Sequence, residues 1–391
     1  MHLALLSAEY PPRAGGVGDY TRQLGLALLQ RGHAVSVLTN SVPADGPPPP
    51  GEPEREILAI RHWDWHCWPA VIRVLDRVRP DVLHIQYQTG AYAMHPAINL
   101  LPWRLRQLPE RPRLLVTAHD LREPYLFPKA VPLRHWVTRR LLRDVDRAIV
   151  TNDQDAIQIH HYHASAPLIP IGSNIAVIPL RDADRTGWRE RAGAQAGDRL
   201  IGYFGLIGPS KGLDILLEAM HGLPESYRLL IIGGSATSPQ DQAFAEQFQG
   251  QIERLGMRGR AFMTGQCRAE DVSAYLQAAD LLALPYADGA SFRRGSLLAA
   301  LTHGAPVVTT TPAAPLPAST PQLINGQHVL LVPPGDAAAL AAAIAQLAST
   351  APLRERLAQA GRLLATQFTW ESIAAAHEAV YQQLLAQVSN A

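Results

Sequence analysis

Cysteine is scarce in this chain. Only Cys67 and Cys267 occur among 391 residues, and they lie far apart in the sequence. Two distant cysteines exclude a disulfide framework and a zinc site built on cysteine ligands, and they fit a reducing cytosol. We therefore expect a cytoplasmic protein.

Long apolar runs and a large excess of one charge are also missing. No stretch is long enough to span a bilayer, and the strand-like run at the start carries no basic leader, so neither a membrane span nor a signal peptide is predicted. The formal net charge is +1, which does not favour a nucleic-acid partner. Residues 1–150 nevertheless hold 19 basic and 14 acidic side chains, so the first part of the chain is net basic.

Lysine is the third scarce residue. The chain has 33 arginines and only two lysines, Lys129 and Lys211. A sequence that prefers arginine this strongly keeps lysine mainly where a compact point charge matters, or by chance. Either lysine is thus a candidate for a specific role.

What the chain does contain is a repeated alternation of apolar strand-like runs and amphipathic helical segments. One series runs from Leu3 to Thr151 and a second from Leu200 to Val332, with a further short strand expected at 173–179. This alternation predicts an α/β protein with two doubly wound, Rossmann-like parallel sheets and a cleft between them. The length and the 47% apolar content suit two domains.

A glycine-rich loop follows the first predicted strand. Gly15, Gly16 and Gly18 would let a ligand approach the backbone closely at the carboxyl end of that strand. The loop does not match G-x-G-x-x-G, so a dinucleotide site is not indicated. Glu9 and Arg13 flank it, either as solvated charges or as contacts to an acceptor.

The stretch SFRRGSLLAALTHGAPVVTTTP at 291–312 is the most informative segment. It reads as a polar turn, a short apolar helix, a glycine stop and a buried strand. A helix N-terminus facing a cleft binds anions through its free N–H groups and dipole. The alternative is that its arginines are solvated loop charges. The residues predicted to hold a phosphate are Ser291, Arg293, Arg294, Gly295 and Ser296.

Two groups of histidines need weighing. His119 directly follows a predicted strand, either as a packed loop residue or as a functional group. His160, His161 and His163 are clustered, but no carboxylate or cysteine stands at ligand spacing. We therefore predict no metal site there.

In order and spacing, these segments resemble the family-4 glycosyltransferases of the GT-B fold, over nearly the whole chain. The segments that carry the resemblance are EYPPRAGGVGDY, RGHAVSVLT, PDVLHIQ, TAHD, YFGLIGPSKGLDILLEA, LLIIGG, DLLALPY, HGAPVVTT, NGQHVLLVPPG and FTWESIAAAHEAVY. The resemblance implies two domains facing across a cleft. Residues 1–178, with 372–391 crossing back, would form the acceptor-side domain, and 179–371 the donor domain.

The resemblance also assigns the donor loop. Gly205 begins a loop in which Lys211 matches the lysine that binds the donor pyrophosphate, while Leu206 stands where the family has arginine. The two glutamates of the family signature fall on Ser291 and Ala299. A serine keeps one hydrogen bond of the first, but Ala299 cannot accept from the ribose hydroxyls. Arg293 and Arg294 would then supply the phosphate charge lost at Leu206.

The implied activity is a retaining transfer of a sugar from a nucleoside diphosphate donor, the co-substrate, with no other cofactor. His119 would lie beside the donor sugar. Positive side chains and a helix dipole would stabilise the leaving diphosphate without a metal. The acceptor would be a glycan, a lipid-linked molecule or a small molecule. The alternative is a non-catalytic nucleotide-sugar or glycan-binding partner in polysaccharide biosynthesis, because both signature glutamates are absent.

A basic amphipathic segment suggests that the protein binds its acceptor at a membrane surface. Between Arg104 and Arg147 there are 11 basic and five acidic residues. The segment 133–147 either lies peripherally on the anionic inner membrane face, or packs its apolar side on the sheet and leaves its arginines solvated.

Overall fold

The computed structural model describes residues 1–13, 15–40, 51–121, 124, 131–163, 166–234, 239–313 and 321–386. The strands are β1 (His2–Leu6), β2 (Ala34–Thr39), β3 (Glu54–Ile57), β4 (Val82–Tyr87), β5 (Arg113–Ala118), β6 (Arg147–Val150), β7 (Arg199–Phe204), β8 (Tyr227–Ile232), β9 (Ala261–Met263), β10 (Leu281–Leu284), β11 (Val307–Thr310) and β12 (Leu330–Val332). The helices are α1 (Gly16–Gln30), α2 (Cys67–Val78), α3 (Ala97–Leu105), α4 (Val131–Asp144), α5 (Asp153–Ile159), α6 (Asp182–Arg191), α7 (Leu213–His221), α8 (Pro239–Arg254), α9 (Ala269–Ala278), α10 (Gly295–Thr302), α11 (Ala337–Ser349), α12 (Ala351–Ala365) and α13 (Trp370–Ala386).

The strands form two six-stranded sheets, in the orders β3-β2-β1-β4-β5-β6 and β12-β11-β10-β7-β8-β9. Every paired neighbour is parallel. The central strands are buried throughout, as in β4 and β10, which is expected when helices cover both faces of a sheet. The prediction of an α/β protein with two doubly wound parallel sheets is confirmed.

The chain divides into two compact units, Met1–Gly172 with Trp370–Ala391, and Ser173–Thr369. The boundaries expected from the sequence, after residues 178 and 371, lie slightly further along the chain. In each sheet the strand order reverses once, between β1 and β4 in the first unit and between β7 and β10 in the second. Ligands of such sheets bind at the carboxyl ends of the strands beside this reversal.

In the first unit, each face of the sheet has its own apolar core. One core includes Val71, Ile98, Leu141 and Ile159 from α2, α3, α4 and α5. The other joins Leu24 of α1 to residues of α13, so the last helix packs on the sheet of the first unit. The loops after β1, β4 and β5 are therefore held by two buried layers.

One local prediction is wrong, and one strand was not predicted. The segment 173–179 forms no strand, since the backbone N–H groups of Ile178 and Leu180 donate to Ser273 Oγ and Gln277 Oε1 on α9 instead of to a strand. The strand β3 lacks an apolar run from which it could be predicted, because it lies at the sheet edge and its residues are partly exposed. No helix among the described residues is long and apolar enough to cross a membrane.

Candidate functional site

In the second unit, the loops after β7 and β10 come together at the strand reversal. The Ala287 backbone N–H donates to the Ser210 carbonyl oxygen at 3.2 Å. A Cβ on Gly212 would overlap the Pro285 carbonyl oxygen, and this glycine has φ +67°, so only glycine fits. A Cβ on Gly205 would lie 3.8 Å from Ser296 Oγ. The structure thus brings Gly205 close to the start of α10.

The N-terminus of α10 has no side-chain cap among the described residues. Its first residue, Gly295, follows Arg294. The Arg294 backbone N–H donates to the Ser291 carbonyl oxygen at 3.1 Å, which closes the turn before the helix. Ser296 Oγ is 2.7 Å from the Tyr286 hydroxyl oxygen. The first-turn N–H groups of α10 therefore have the arrangement of an anion site.

Arg294 is built into this site, whereas Arg293 is exposed. The Arg294 side chain is 14% exposed and pairs with Asp288. Its guanidinium carbon lies 4.9 Å from the centre of the Tyr286 ring. Its Nε is buried and has no hydrogen-bond partner among the described residues. An unsatisfied buried donor is costly, so a ligand that accepts from Nε would be favoured.

Lys211 stands beside this arginine. Burial is the main cause that lowers its pKa to about 8, the positive charge of Arg294 lowers it further, and Asp288 and Asp241 oppose both. The part of the lowering that Arg294 causes reflects repulsion between two neighbouring positive charges, which the carboxylates of Asp288 and Asp241 counteract. A diphosphate placed there would relieve this repulsion.

The positions that carry charge in the resembling family are uncharged here. Leu206 is 54% exposed, and Ala299 is fully buried in α10. The Ala299 carbonyl oxygen accepts from the His303 backbone N–H at 3.0 Å within the helix. Nothing at Ala299 replaces a carboxylate, so contacts to a ribose would need other groups.

In the first unit, Glu9 fills the glycine loop. A Cβ on Gly15 would overlap the Glu9 carboxyl group, and one on Gly18 would lie 2.7 Å from the Glu9 backbone. A Cβ on Gly16 would have open space around it. Burial raises the pKa of Glu9, while a hydrogen bond from the Val17 backbone and the charge of Arg13 lower it. Glu9 is thus placed at the N-terminus of α1, and the exposed Arg13 lies nearby.

His119 lies directly after β5 and is held from two sides. Its Nε2 is 3.0 Å from Gln86 Oε1, and its ring meets the Tyr20 ring edge-on at 4.6 Å. Burial, with a smaller effect of His377, lowers the His119 pKa to about 3. The imidazole is therefore neutral at ordinary pH and can act as a hydrogen-bonding group.

A second buried histidine supports this arrangement. His377 Nε2 is 3.3 Å from the Tyr20 hydroxyl oxygen, although the two residues are 357 positions apart. Burial lowers the His377 pKa to about 4. The nearby His84 is fully buried in β4, and its ring nitrogens lie 2.7 Å from Thr117 Oγ1 and 2.8 Å from the Tyr381 hydroxyl oxygen.

Sequence reasoning missed Tyr286 and Asp288 in the second unit, and Tyr20, Gln86 and His377 in the first. Tyr286 and Asp288 sit only a few residues before the predicted phosphate turn, so their proximity was a usable signal. No sequence signal pointed to His377 and Tyr20, because their contact depends on how α13 packs on α1.

Acidic and histidine side chains that stand close together in the sequence make local contacts in the structure. Two aspartates of Asp-x-Asp triplets form ion pairs, Asp146 with Arg111 at 2.6 Å and Asp184 with Arg181 at 2.8 Å. His163 Nε2 bonds to the Leu142 carbonyl oxygen. Among the described residues, no three His, Cys, Asp or Glu side chains meet in a way that could hold a metal ion.

Two family profiles match the chain. One, described as a glycosyl transferase 4-like domain, matches residues 15–172, and one described as glycosyl transferases group 1 matches residues 198–350. Together they span most of both units.

Curated relatives carry the name D-inositol 3-phosphate glycosyltransferase. The protein from Segniliparus rotundus is 26% identical over 400 residues, covering 95% of this chain and 85% of the relative. The protein from Xylanimonas cellulosilytica is 28% identical over 223 residues, covering 56% of this chain. The chain spans about half of that relative's length, at 51%.

Among solved structures, HepE of Anabaena in complex with UDP has a TM-score of 0.74 at 20% identity, and both chains are fully covered. The same protein in complex with UDP-glucose has a TM-score of 0.73 at 18% identity. At this level of identity the likeness concerns the fold.

Proposed function

The chain belongs to the family-4-like glycosyltransferases of the GT-B fold, and on that premise we propose that it takes a sugar from a nucleoside diphosphate donor, with retention and without a metal. The observation that carries the proposal is the cationic group at the α10 N-terminus, formed by Lys211 and Arg294. Retention is drawn from the family resemblance alone.

The donor diphosphate is proposed to lie against α10. Charge develops on the diphosphate when the bond to the sugar breaks, so groups that stabilise this charge accelerate the reaction. Lys211 supplies a point charge, and the first-turn N–H groups beside Gly295 and Ser296 supply a dipole. Arg294 Nε supplies a donor that otherwise stays unsatisfied. That HepE of Anabaena binds UDP and UDP-glucose supports a uridine nucleotide as the first candidate.

His119 is proposed to hydrogen-bond the donor sugar near the reacting carbon. Its depressed pKa keeps it neutral, so it would orient the sugar without placing a positive charge beside it. Glu9 and Arg13 are proposed to face the acceptor, and Gly15, Gly16 and Gly18 are proposed to let the donor approach the backbone. The raised pKa of Glu9 suits a group that accepts a hydrogen bond from a hydroxyl and shares its proton.

The acceptor is proposed to be glycan or lipid-linked. Helix α4 buries Val137 and Leu141 on its apolar side. Leu133 and Trp136 remain 43% and 49% exposed. An exposed tryptophan near arginines suits the headgroup region of an anionic membrane. Co-sedimentation with anionic vesicles at low salt, but not with neutral vesicles, is the expected result, and no preference would favour a soluble acceptor.

The decisive experiment is a donor screen with the full chain. UDP, GDP and ADP are added in the presence of EDTA, and the melting temperature is measured, because ligands that bind the folded state raise it. Sugar nucleotides of the base that binds are then tested for turnover and for donor hydrolysis. We expect one base to raise the melting temperature and its sugar nucleotide to be consumed.

Two outcomes would count against the proposal. Absence of binding by all three nucleotides would contradict the donor site. Saturable nucleotide binding with neither hydrolysis nor transfer would favour the alternative, a nucleotide-sugar-binding protein without catalysis. The variant Lys211→Ala serves as the negative control in both arms.

A further inference from the structure

An unusually aromatic segment, RHWDWHCW at 61–68, leads into α2. It holds Trp63, Trp65 and Trp68, three of the seven tryptophans of the chain. The segment follows β3 and ends in the first turn of α2, so it lies at the carboxyl edge of the first unit's sheet. The glycine loop and His119 follow strands of the same sheet at the same edge.

Trp63 fixes this segment in place. It is 4% exposed, and its Nε1 donates to Asn40 Oδ1 at 3.0 Å. Its ring meets the Tyr92 ring edge-on at 4.8 Å, and the Tyr92 hydroxyl donates to the Leu6 carbonyl oxygen at 3.1 Å. One buried residue therefore ties the segment to the loops after β2 and β4.

Trp65 begins a row of aromatic side chains on the surface. It is 47% exposed, and its ring centre lies 5.1 Å from that of Trp68 and 5.3 Å from that of His95. Trp68 donates from Nε1 to the Ala97 carbonyl oxygen at 2.9 Å and contacts Trp103 at 6.3 Å between ring centres. Trp103 is 41% exposed. The exposed rings of Trp65 and Trp103 thus both contact Trp68, whose position is fixed by its hydrogen bond.

Polar groups are set beside these rings. Asp64 Oδ1 accepts from the His66 backbone N–H at 2.9 Å and from His66 Nδ1 at 2.8 Å. These two hydrogen bonds, and the nearby charges of His66 and His95, lower the Asp64 pKa. His95 Nδ1 accepts from the Ala97 backbone N–H at 3.2 Å, which places its proton on Nε2. A carboxylate and a ring N–H donor therefore flank the exposed tryptophan.

We propose that Trp65 and Trp103, with Asp64, His66 and His95, bind a carbohydrate chain, the sugar part of the acceptor. This rests on the proposed glycosyltransferase function and names the chemistry of its acceptor. One face of a pyranose carries C–H groups that pack on the electron-rich face of an aromatic ring, while its rim of hydroxyls needs donors and acceptors. The ionised Asp64 beside Trp65 opposes contact with an anionic lipid surface and suits hydroxyls.

The test uses the full chain and four neutral tetrasaccharides, of α-gluco, β-gluco, manno and galacto configuration. Saturation-transfer NMR measures binding to each, and the UDP-induced rise in melting temperature is recorded in parallel. We expect transfer to the C–H protons of at least one sugar. Trp65→Ala should weaken that binding tenfold or more, and Trp103→Ala about threefold. Tyr162→Ala removes another exposed aromatic ring of the first unit, 39% exposed and outside every proposed site, and should leave it unchanged.

The outcomes separate the two proposals. No transfer to any of the four sugars, or equal losses for Trp65→Ala and Tyr162→Ala, would overturn the carbohydrate site. A loss of vesicle binding in Trp65→Ala, with no sugar binding in the wild type, would assign the row to lipid and overturn it as well. Unchanged UDP response in the variants shows that they fold. Sugar binding that depends on Trp65, without any nucleotide response, would leave this site standing and contradict the proposed donor.

Discussion

The second unit keeps its buried cations charged, whereas the first unit keeps its buried histidines neutral. At the α10 N-terminus, Lys211 and Arg294 lie side by side, and one guanidinium nitrogen has no partner among the described residues. Beneath the first unit's sheet edge, His84 and His377 bond to neutral hydroxyl or carbonyl oxygens. Burial removes a proton from histidine cheaply, but not from arginine. The difference is consistent with the proposed anion in the second unit and the proposed neutral sugar in the first.

The largest expected effect is a loss of folding stability at low pH, caused by protonation of the buried His377. The His377 pKa is depressed to about 4, below its unfolded value of about 6.5, so the stability it contributes is complete above pH 6.5. That stability is lost as pH falls towards 4, by about 3 kcal/mol in total at 1.36 kcal/mol per pH unit. We expect urea unfolding at pH 7, 6, 5 and 4.5 to show this fall.

The matched variant for that experiment is His377→Gln. Glutamine can still bond to the Tyr20 hydroxyl but does not titrate. Its free energy of unfolding should fall less steeply with pH than that of the wild type. Parallel curves for the two proteins would mean that His377 is not a source of acid sensitivity.

Next comes Lys211→Ala in the charged region. A charge-assisted contact to phosphate contributes about 1.5–3 kcal/mol, so UDP affinity should fall roughly 10- to 100-fold. Calorimetric titration of UDP measures it. Lys129→Ala changes the chain's other lysine, at a position outside the described residues, and should alter the affinity less than about twofold. Similar losses in both variants would contradict the phosphate role of Lys211.

A smaller effect should separate the two neighbouring arginines. Arg294→Gln removes the buried, Tyr286-stacked guanidinium and should weaken UDP binding about tenfold, in line with about 1.5 kcal/mol for a bond to a charged group. Arg293→Gln alters an exposed side chain and should cost less than about threefold. The reverse order would place the phosphate on the outer side of the turn.

The parallel sheets could be predicted because several strands are largely apolar. The apolar run of β10 and the glycine stop before β11 predicted a parallel sheet, and the family resemblance, confirmed by the two profile matches, implied two such domains. The grouping of Lys211 with Arg293 or Arg294 was also expected, because the family resemblance assigned both loops to the donor diphosphate. In the structure both loops leave the sheet where the strand order reverses.

Contacts that join distant segments could not be read in the same way. The edge strand β3 is polar, and pairing with β2 rather than its own pattern makes it a strand. His377 and Tyr20 meet only because α13 packs on α1, and a periodic pattern does not specify a helix's partner. Glu9 and Arg13 were assigned to the acceptor from their neighbourhood, and that assignment stays a prediction.

UDP binding across pH is the most direct test of the charged site. Titrations between pH 7.5 and 9.5, with EDTA, compare the wild type with Lys211→Arg. Because the Lys211 pKa is lowered to about 8, the wild type should lose affinity as pH rises above that value, approaching tenfold per pH unit. Lys211→Arg should show no such loss, since guanidinium stays charged. A flat profile in the wild type, or the absence of saturable UDP binding, would contradict the donor site proposed at α10.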